Sequence, residues 1–462
     1  MCPSCPSSSP GNMEFSSFLD CRFQGNDTEW GWAKLLRLHS ATMFLLGFSL
    51  QLGRPGFFYY LRGTVLWDLQ GGWNCVGGQS KFSGPPASMD WGQRRLGRSK
   101  TGGVGKELPS LSKACGMKAA FFTGTRRIEI LPTEEPRLEA ARQVRVRVER
   151  VGICGSDVHY YLHGRIGDQL LQYPASLGHE CAGRVVEVGP AVQRLKVGDP
   201  VAIDPAIVCG QCDQCLAGRP NTCRQLRFLG GPGEAPGAAR EYLVLPEENC
   251  FPLPAGLTLD HAVLAEPLSI GLYGVRLARL TAQERVAILG CGPIGLSVLV
   301  WVKLLAGCRV YATDLLDERL AAAQRCGAEW IGNARRQETT GAILQAEPLG
   351  IDCVFECSGD AACVAEGIRL AKPGGRILWV GIPPETEVLV PAHLARRKEI
   401  TIQLVRRQRG CIPPVLDAMA QGQLDVRWWI THRYPLEQID QAFELAAHYG
   451  DGLLKAILHL PE

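Results

Sequence analysis

No apolar run in this 462-residue sequence reaches the roughly 20 residues that a membrane-spanning helix needs. The nearest approach, ATMFLLGFSLQLG from Ala41, is too short. A charged start, an apolar core and a small-residue cleavage site do not follow one another near the N-terminus, so a secretory leader is not expected. The nineteen cysteines are therefore read as metal ligands and reduced thiols rather than as a disulfide framework. The body of the chain also lacks a surplus of positive charge. Residues 117–462 carry 37 Lys+Arg against 39 Asp+Glu, a balance of −2, while residues 1–116 carry 12 against 7, a balance of +5. Without a basic surface the body is not expected to bind nucleic acid. The expectation is a soluble, cytoplasmic protein with no membrane partner, long enough for two to four domains.

Residues 1–116 hold five of the ten tryptophans but no sustained period of 2 or 3.6, and no independent domain is expected there. From Met117 the pattern becomes orderly. QVRVRVERVGIC, AGRVVEVG and VGDPVAI alternate as strands between glycine turns, which predicts a small, mostly antiparallel barrel. After Glu266 the character changes: RVAILGCGPIGLSVLVWVKLLAGCRVYATD reads as apolar strand, glycine turn, apolar helix and second strand, and IDCVFECSG and GGRILWVGI continue the series. Fully apolar strands alternating with helices predict a parallel sheet covered on both faces. The closing stretch from about Leu404 reads as strand, helix and strand, and is expected to pack back on the first domain.

Cys209, Cys212, Cys215 and Cys223 follow one another as C-x2-C-x2-C-x7-C, with Gly210, Gly218 and Pro220 to turn the chain between them. Four thiolates at this spacing can converge on one tetrahedral zinc. A closed site with four protein ligands leaves no position for substrate, so its expected task is structural.

GCGPIG supplies Gly290, Gly292 and Gly295, with Pro293 and Ile294 between them, after a predicted strand and at the start of a predicted helix. Asp314 ends the next strand, 24 residues beyond Gly290. That context matches a dinucleotide site, in which the helix N-terminus meets the pyrophosphate and the acidic residue accepts from the ribose hydroxyls. The charge of Asp314 favours NAD over NADP, and Arg319 on the following helix tempers that preference. A second metal site is suggested by Cys154 in GICGSDVHYYLHGRIGD and His179 in SLGHECAG, with Glu266 in LAEPLSIG as a reasonable third ligand. Three protein ligands and one open position are what a catalytic zinc requires. Taken singly, each of these residues is as readily a buried cysteine, histidine or carboxylate of the core.

From Met117 to the C-terminus the chain resembles the zinc-dependent medium-chain dehydrogenases, most of all their polyol-oxidising members. GICGSDVHYYLHGRIGD, LGHECAG, EPLSIG, GCGPIG and THRYPLEQIDQAFE carry the resemblance in order and spacing. It implies an α/β protein with a GroES-like β-barrel catalytic domain over residues 117–267, a Rossmann doubly wound parallel sheet for the coenzyme over 268–405, and a return to the catalytic domain over 406–462. Residues 1–116 would be an extension outside the family. By the same resemblance Cys154, His179 and Glu266 would hold the catalytic zinc, and Glu180 would act through water or as an exchanging ligand. The four cysteines would brace a protruding lobe around a structural zinc.

The resemblance further implies that Ser156 hydrogen-bonds the reacting oxygen and that His159 passes its proton towards solvent, while Tyr160, Ile166 and Phe228 line a polyol pocket. Where the family carries FRYCNT this sequence has VRRQRG from Val405, so that Arg406 stands at the substrate-contacting arginine with Arg407 and Arg409 close by. The expected reaction is oxidation of a polyol such as sorbitol, xylitol or arabinitol by NAD to a ketose, in a homo-oligomeric enzyme, dimer or tetramer. Rival readings are a zinc dehydrogenase for a sugar, threonine or simple alcohol, a non-catalytic NAD-binding relative, and a zinc-ribbon binding module.

Overall fold

The computed structural model describes residues 116–461 and, ahead of them, the strands Gly31–Leu36, Phe44–Ser49, Val65–Trp67 and Trp73–Asn74. The chain divides into two units, Met1–Lys106 and Glu107–Glu462. In the first, the four strands pair antiparallel in chain order. The expectation of an unstructured extension over residues 1–116 falls for the most part outside the described residues.

The second unit is built around Gln143–Gly152, whose alternating valines decide its two faces. Val144, Val146 and Val148 are fully buried in the barrel core, while Arg145 and Arg147 point outward and pair with Glu187 and Glu149. This strand pairs antiparallel with Glu180–Val188 and Tyr242–Pro246, and its end also takes the chain's last strand, Lys455–His459, with Ile457 opposite Gly152. Lys455–His459 runs parallel to Ile430–Pro435, so the C-terminal segment completes the same sheet. A three-stranded sheet of Ala175–Ser176, Met117–Gly124 and Arg127–Thr133 lies beside it.

The parallel sheet runs Trp330–Asn333, Arg309–Asp314, Arg285–Leu289, Ile351–Glu356, Ala371–Trp379, Thr401–Leu404, with every neighbouring pair parallel. Its order reverses beside Arg285–Leu289, the topological switch point at which such sheets take their ligands. Apolar residues throughout the strand are required because both faces are covered. Val286 and Ile288 join one core with Leu299 and Val302, whereas Ala287 and Leu289 join another with Ile343 and Ile368. The helix Leu259–Ala278 contributes to the first of these cores, which also takes Ala182 and Ala202 from the barrel sheet. One long apolar helix thus ties barrel and parallel sheet together, and Glu266 and Pro267 lie buried in its middle.

Candidate functional site

Cys154 lies two residues beyond the end of the barrel strand Gln143–Gly152 and caps the helix Gly155–His163, which places its thiol at a helix N-terminus. Ser156 Oγ donates to Cys154 Sγ at 3.3 Å. His179 is buried immediately before the strand Glu180–Val188, whose first residue lies opposite Gly152. The ligand atoms of Cys154, His179 and Glu180 all lie within 4.8 Å of one another. A thiolate, an imidazole and a carboxylate converging in this way fit a zinc ion with one position left open.

Two charged side chains hold this group from behind. Asp157, in the first turn of the helix that Cys154 caps, lies 3.4 Å from His179 Nδ1 through its Oδ1. That contact directs the other ring nitrogen towards the cluster, the common arrangement of a metal-binding histidine. Burial by itself would lower the His179 pKa, but Asp157 and Cys154 outweigh it and raise the value. Lys455, on the last strand, forms a buried ion pair with Glu180 and donates from Nζ to the Ile153 carbonyl at 2.9 Å. Gly152 leaves the room for this pair. A Cβ there would overlap Glu180 Oε2 and lie 3.1 Å from Lys455 Cε.

Glu266, expected as the third ligand, stands outside the cluster, and Glu180 takes that place. The reason is positional: Glu180 is the chain neighbour of His179, whereas Glu266 comes from the middle of the long helix. Glu266 is nevertheless buried nearby. Desolvation pushes its pKa up to about 7, Glu180 adds to the rise, and His179 and Lys455 oppose it. The site therefore sets one carboxylate fixed by a lysine beside another that gains a proton near neutrality.

The other pocket residues divide. Phe228 lies against His179 with ring centroids 5.1 Å apart. Tyr160 is buried in the barrel core and donates to Gln169 Oε1 at 3.2 Å, and Ile166 packs at the edge of the same core. His159 is half-buried, and burial followed by the charge of His163 lowers its pKa. Arg406 is exposed and offers its carbonyl to Asn221 Nδ2 at 3.0 Å. The guanidinium that reaches Phe228 belongs instead to Arg407, whose Cζ stands 3.4 Å from the ring centroid. The left-handed backbone of Arg407, φ 54°, turns consecutive arginines to different sides.

The four cysteines also come together, with all their sulfurs within 4.8 Å of one another. Cys209 and Cys223 have sulfurs 3.5 Å apart, and Cys212 and Cys223 3.8 Å. Four Zn–S bonds of about 2.3 Å in a tetrahedron separate sulfurs by about 3.8 Å, so the spacing fits zinc. Backbone N–H groups of Cys212, Cys209 and Gln225 point at Cys209 and Cys223 sulfurs, each at 3.4 Å. Such donors favour thiolate over thiol. The Cys212 thiol is drawn down to about 6, first by the backbone N–H of Arg224.

At the switch point, Gly290 adopts φ 93° after Arg285–Leu289, and Gly292 caps the helix Pro293–Leu305 with Pro293 in its first turn. A Cβ on Gly295 would overlap the Gly290 carbonyl, so the turn and the helix can approach only without one. Ile294 packs at the edge of the underlying core. Asp314 Oδ2 accepts from Cys291 N at 2.7 Å, and Oδ1 accepts from Leu315 N at 2.7 Å and Leu316 N at 3.0 Å. The carboxylate is therefore held rigidly at the strand end. Arg319 Nη1 lies 4.0 Å from it, with its guanidinium over the Tyr449 ring.

Sequence reasoning missed Asp157 and Lys455, and it named Arg407 only as a neighbour of Arg406. Asp157 falls within GICGSDVHYYLHGRIGD, and only its place one helical turn after Cys154 distinguishes it. Lys455 carried no signal beyond being a lysine in an apolar strand, KAILH.

Comparison with known proteins agrees with this geometry. Residues 140–255 match the alcohol dehydrogenase GroES-like domain, and residues 293–421 match the zinc-binding dehydrogenase domain. Among curated proteins the chain is 34% identical over 344 residues to sorbitol dehydrogenase of Bacillus subtilis (strain 168), spanning 74% of this chain and 97% of that one. It is also 34% identical over 342 residues to L-idonate 5-dehydrogenase of Vitis vinifera, spanning 72% and 93%. Among solved structures, alcohol dehydrogenase TADH from Thermus sp. ATN1 superposes with a TM-score of 0.69 at 30% identity, over 75% of this chain and all of that one.

Proposed function

We propose, from the premise that the chain belongs to the zinc-dependent medium-chain dehydrogenase family, that it oxidises a secondary hydroxyl of a polyol to a ketone with NAD as hydride acceptor. The observation that carries this reading is the convergence of Cys154, His179 and Glu180 on one point, with no fourth protein ligand in that group among the described residues. Supporting the polyol class are the sorbitol dehydrogenase and L-idonate 5-dehydrogenase relatives, which the chain matches over nearly their whole length. The family enzyme is a dehydrogenase; the particular alcohol is the proposed part.

Zinc held by Cys154, His179 and Glu180 would supply a Lewis acid that makes an alcohol proton easier to lose near neutral pH. The remaining work falls to side chains. Asp157 keeps the His179 tautomer fixed, and Lys455 keeps Glu180 in place. Ser156, whose hydroxyl is 3.3 Å from Cys154 Sγ, would take the substrate proton's hydrogen bond, and half-buried His159 would carry the proton towards solvent. The Gly290–Gly295 turn would seat the dinucleotide pyrophosphate, and Asp314 beside it favours NAD over NADP by repelling a 2′-phosphate. Bound NAD would supply the hydride acceptor, so that the substrate carbon would give up a hydride and its oxygen a proton, and polyol and NAD would give ketose, NADH and one proton.

In the same reading Cys209, Cys212, Cys215 and Cys223 hold a second, structural zinc, and the catalytic body comprises residues 117–267 and 406–462 around a coenzyme domain at 268–405. Self-association as a dimer or tetramer belongs to it as well. Supporting that, the parallel sheet ends on Thr401–Leu404, and Leu404 and Leu389 are exposed. Among the described residues no helix is long and apolar enough to cross a membrane. The test is NADH formation by the zinc-loaded protein with hexitols, pentitols, threonine and simple alcohols. Activity with threonine or simple alcohols and none with any polyol would overturn the substrate class.

A further inference from the structure

Arg407 sits beside the candidate zinc site, and no described residue forms an ion pair with its guanidinium. Its guanidinium Cζ stands 3.4 Å from the Phe228 ring centroid, and the same ring packs against His179 with centroids 5.1 Å apart. The buried Nη1 has no hydrogen-bond partner among the described residues. Glu234, Glu266 and Asp204 are near enough to influence the arginine's charge, but none bonds its guanidinium. Each is engaged or buried elsewhere: Glu234 Oε2 accepts from Phe228 N at 2.7 Å, and Asp204 Oδ2 accepts from Gln408 Nε2 at 2.5 Å.

The backbone is arranged to hold this side chain where it is. Residue 406 is pinned by Asn221 through its carbonyl at 3.0 Å, and residue 408 by its bond to Asp204. Gln408 Oε1 also accepts from Cys411 N at 2.8 Å, and Arg409 Nη1 donates to the Gly218 carbonyl at 3.0 Å. Between these anchors Arg407 keeps φ 54°, a conformation that non-glycine residues retain only where the surroundings enforce it. The loop thus spends three side-chain tethers and a strained residue on presenting one unpaired cation.

We propose that Arg407 makes this a site for anionic polyols: a polyhydroxylated chain whose secondary hydroxyl reaches Cys154, His179 and Glu180 while a terminal oxyanion, carboxylate or phosphate, docks on the Arg407 guanidinium. A neutral hydroxyl can satisfy one N–H of the arginine. A carboxylate or phosphate matches its planar fork with two parallel hydrogen bonds and cancels its charge in a partly desolvated place. The inference rests on the dehydrogenase reading above and narrows its substrate class.

The test compares sorbitol, gluconate and sorbitol 6-phosphate, three six-carbon chains that differ in their ends, with wild type, Arg407→Gln and Arg407→Gly. Turnover is followed by NADH, and binding of gluconate and sorbitol to the zinc- and NADH-loaded protein by calorimetry. Wild type should favour at least one anionic chain over sorbitol by about tenfold or more in kcat/KM, the range set by one charge-assisted fork. Both variants should lose most of that ratio, chiefly through KM, and Arg407→Gly accepts the left-handed backbone, so strain at that residue cannot account for the loss. Preference for gluconate alone or the phosphate alone identifies the oxyanion. If sorbitol is oxidised and neither anion is bound or preferred, the inference is wrong and the dehydrogenase reading stands. If gluconate binds wild type but not Arg407→Gln while no chain yields NADH, the anion site stands and the reaction assigned above is wrong. No binding and no turnover would overturn both.

Discussion

Glu180 and Lys455 form an ion pair in which each side chain is only 2% exposed, so the residue next to His179 is bound to the last strand of the chain. Lys455 also donates to the carbonyl of Ile153, the residue before Cys154. One ammonium group therefore touches both arms of the candidate zinc site. Removing it leaves a carboxylate in the interior without its counter-charge, which typically costs about 3–5 kcal/mol. Lys455→Met should lower unfolding free energy by that order in denaturant titrations. The double variant Glu180→Gln/Lys455→Met should recover part of it, and a double variant as unstable as the single one would contradict the pairing.

The two metal sites should respond differently to loss of one sulfur. Cys154→Ser removes a ligand from a cluster of three and should abolish turnover while the fold persists. Cys212→Ser opens a closed set of four and should chiefly lower stability. Metal analysis should find two zinc ions in the wild type and a reduced content in each variant. One ion that survives Cys154→Ser but not Cys212→Ser would remove the catalytic assignment.

Asp157 stands outside the ligand cluster but supports two of its members, with Oδ1 3.4 Å from His179 Nδ1 and Oδ2 accepting from Cys154 N at 3.4 Å. Asp157→Asn keeps the shape and removes the charge. Zinc affinity measured by competition with a chelator should fall about 10- to 100-fold, the usual effect of losing such a support. An unchanged affinity would show that the contact does not orient the ring.

Asp314→Ser should weaken NAD and improve NADP, because the change removes a ribose acceptor and a negative charge together. The same carboxylate accepts from Cys291 N in the glycine turn and from Leu315 N and Leu316 N after its own strand, so the variant should also lose some stability, about 1–3 kcal/mol. Wild type that already uses NADP better than NAD would overturn the reading of Asp314.

Stability at low pH should depend on Glu284. Arg376 donates to both of its carboxylate oxygens, at 2.9 and 2.7 Å, and to the Ala278 carbonyl at 2.8 Å, which ties Ala371–Trp379 to the end of the long helix. Burial raises the Glu284 pKa, but the Arg376 hydrogen bond, the Thr281 N–H and the Arg376 charge outweigh it and hold the value low in the folded state. A depressed folded pKa contributes stability above the unfolded value of about 4.3 and loses it as pH falls through the folded one. Glu284→Gln should therefore be less stable than wild type at pH 7, with the gap closing below pH ~4. A gap that is constant from pH 7 to pH 3 would exclude the charge as its cause.

What could be read from the sequence was local or periodic. The four cysteines fall within fifteen residues, so the short chain between them largely determines how they meet. The glycine turn lies between two elements whose apolar pattern is visible, and the valines of Gln143–Gly152 alternate with the pleat that buries them. Only the tertiary structure could decide contacts between distant segments. Lys455 meets a carbonyl 302 residues away, and nothing in KAILH announces it. Glu180 rather than Glu266 joins Cys154 and His179 because the register of two barrel strands sets Glu180 opposite Gly152. Arg407 rather than Arg406 reaches Phe228 because tethers from Asn221 and Asp204 hold the loop in a left-handed turn. Short-range spacing limits which atoms can meet within a few residues. Which of two neighbouring charges turns inward depends on partners brought there by packing of the whole chain.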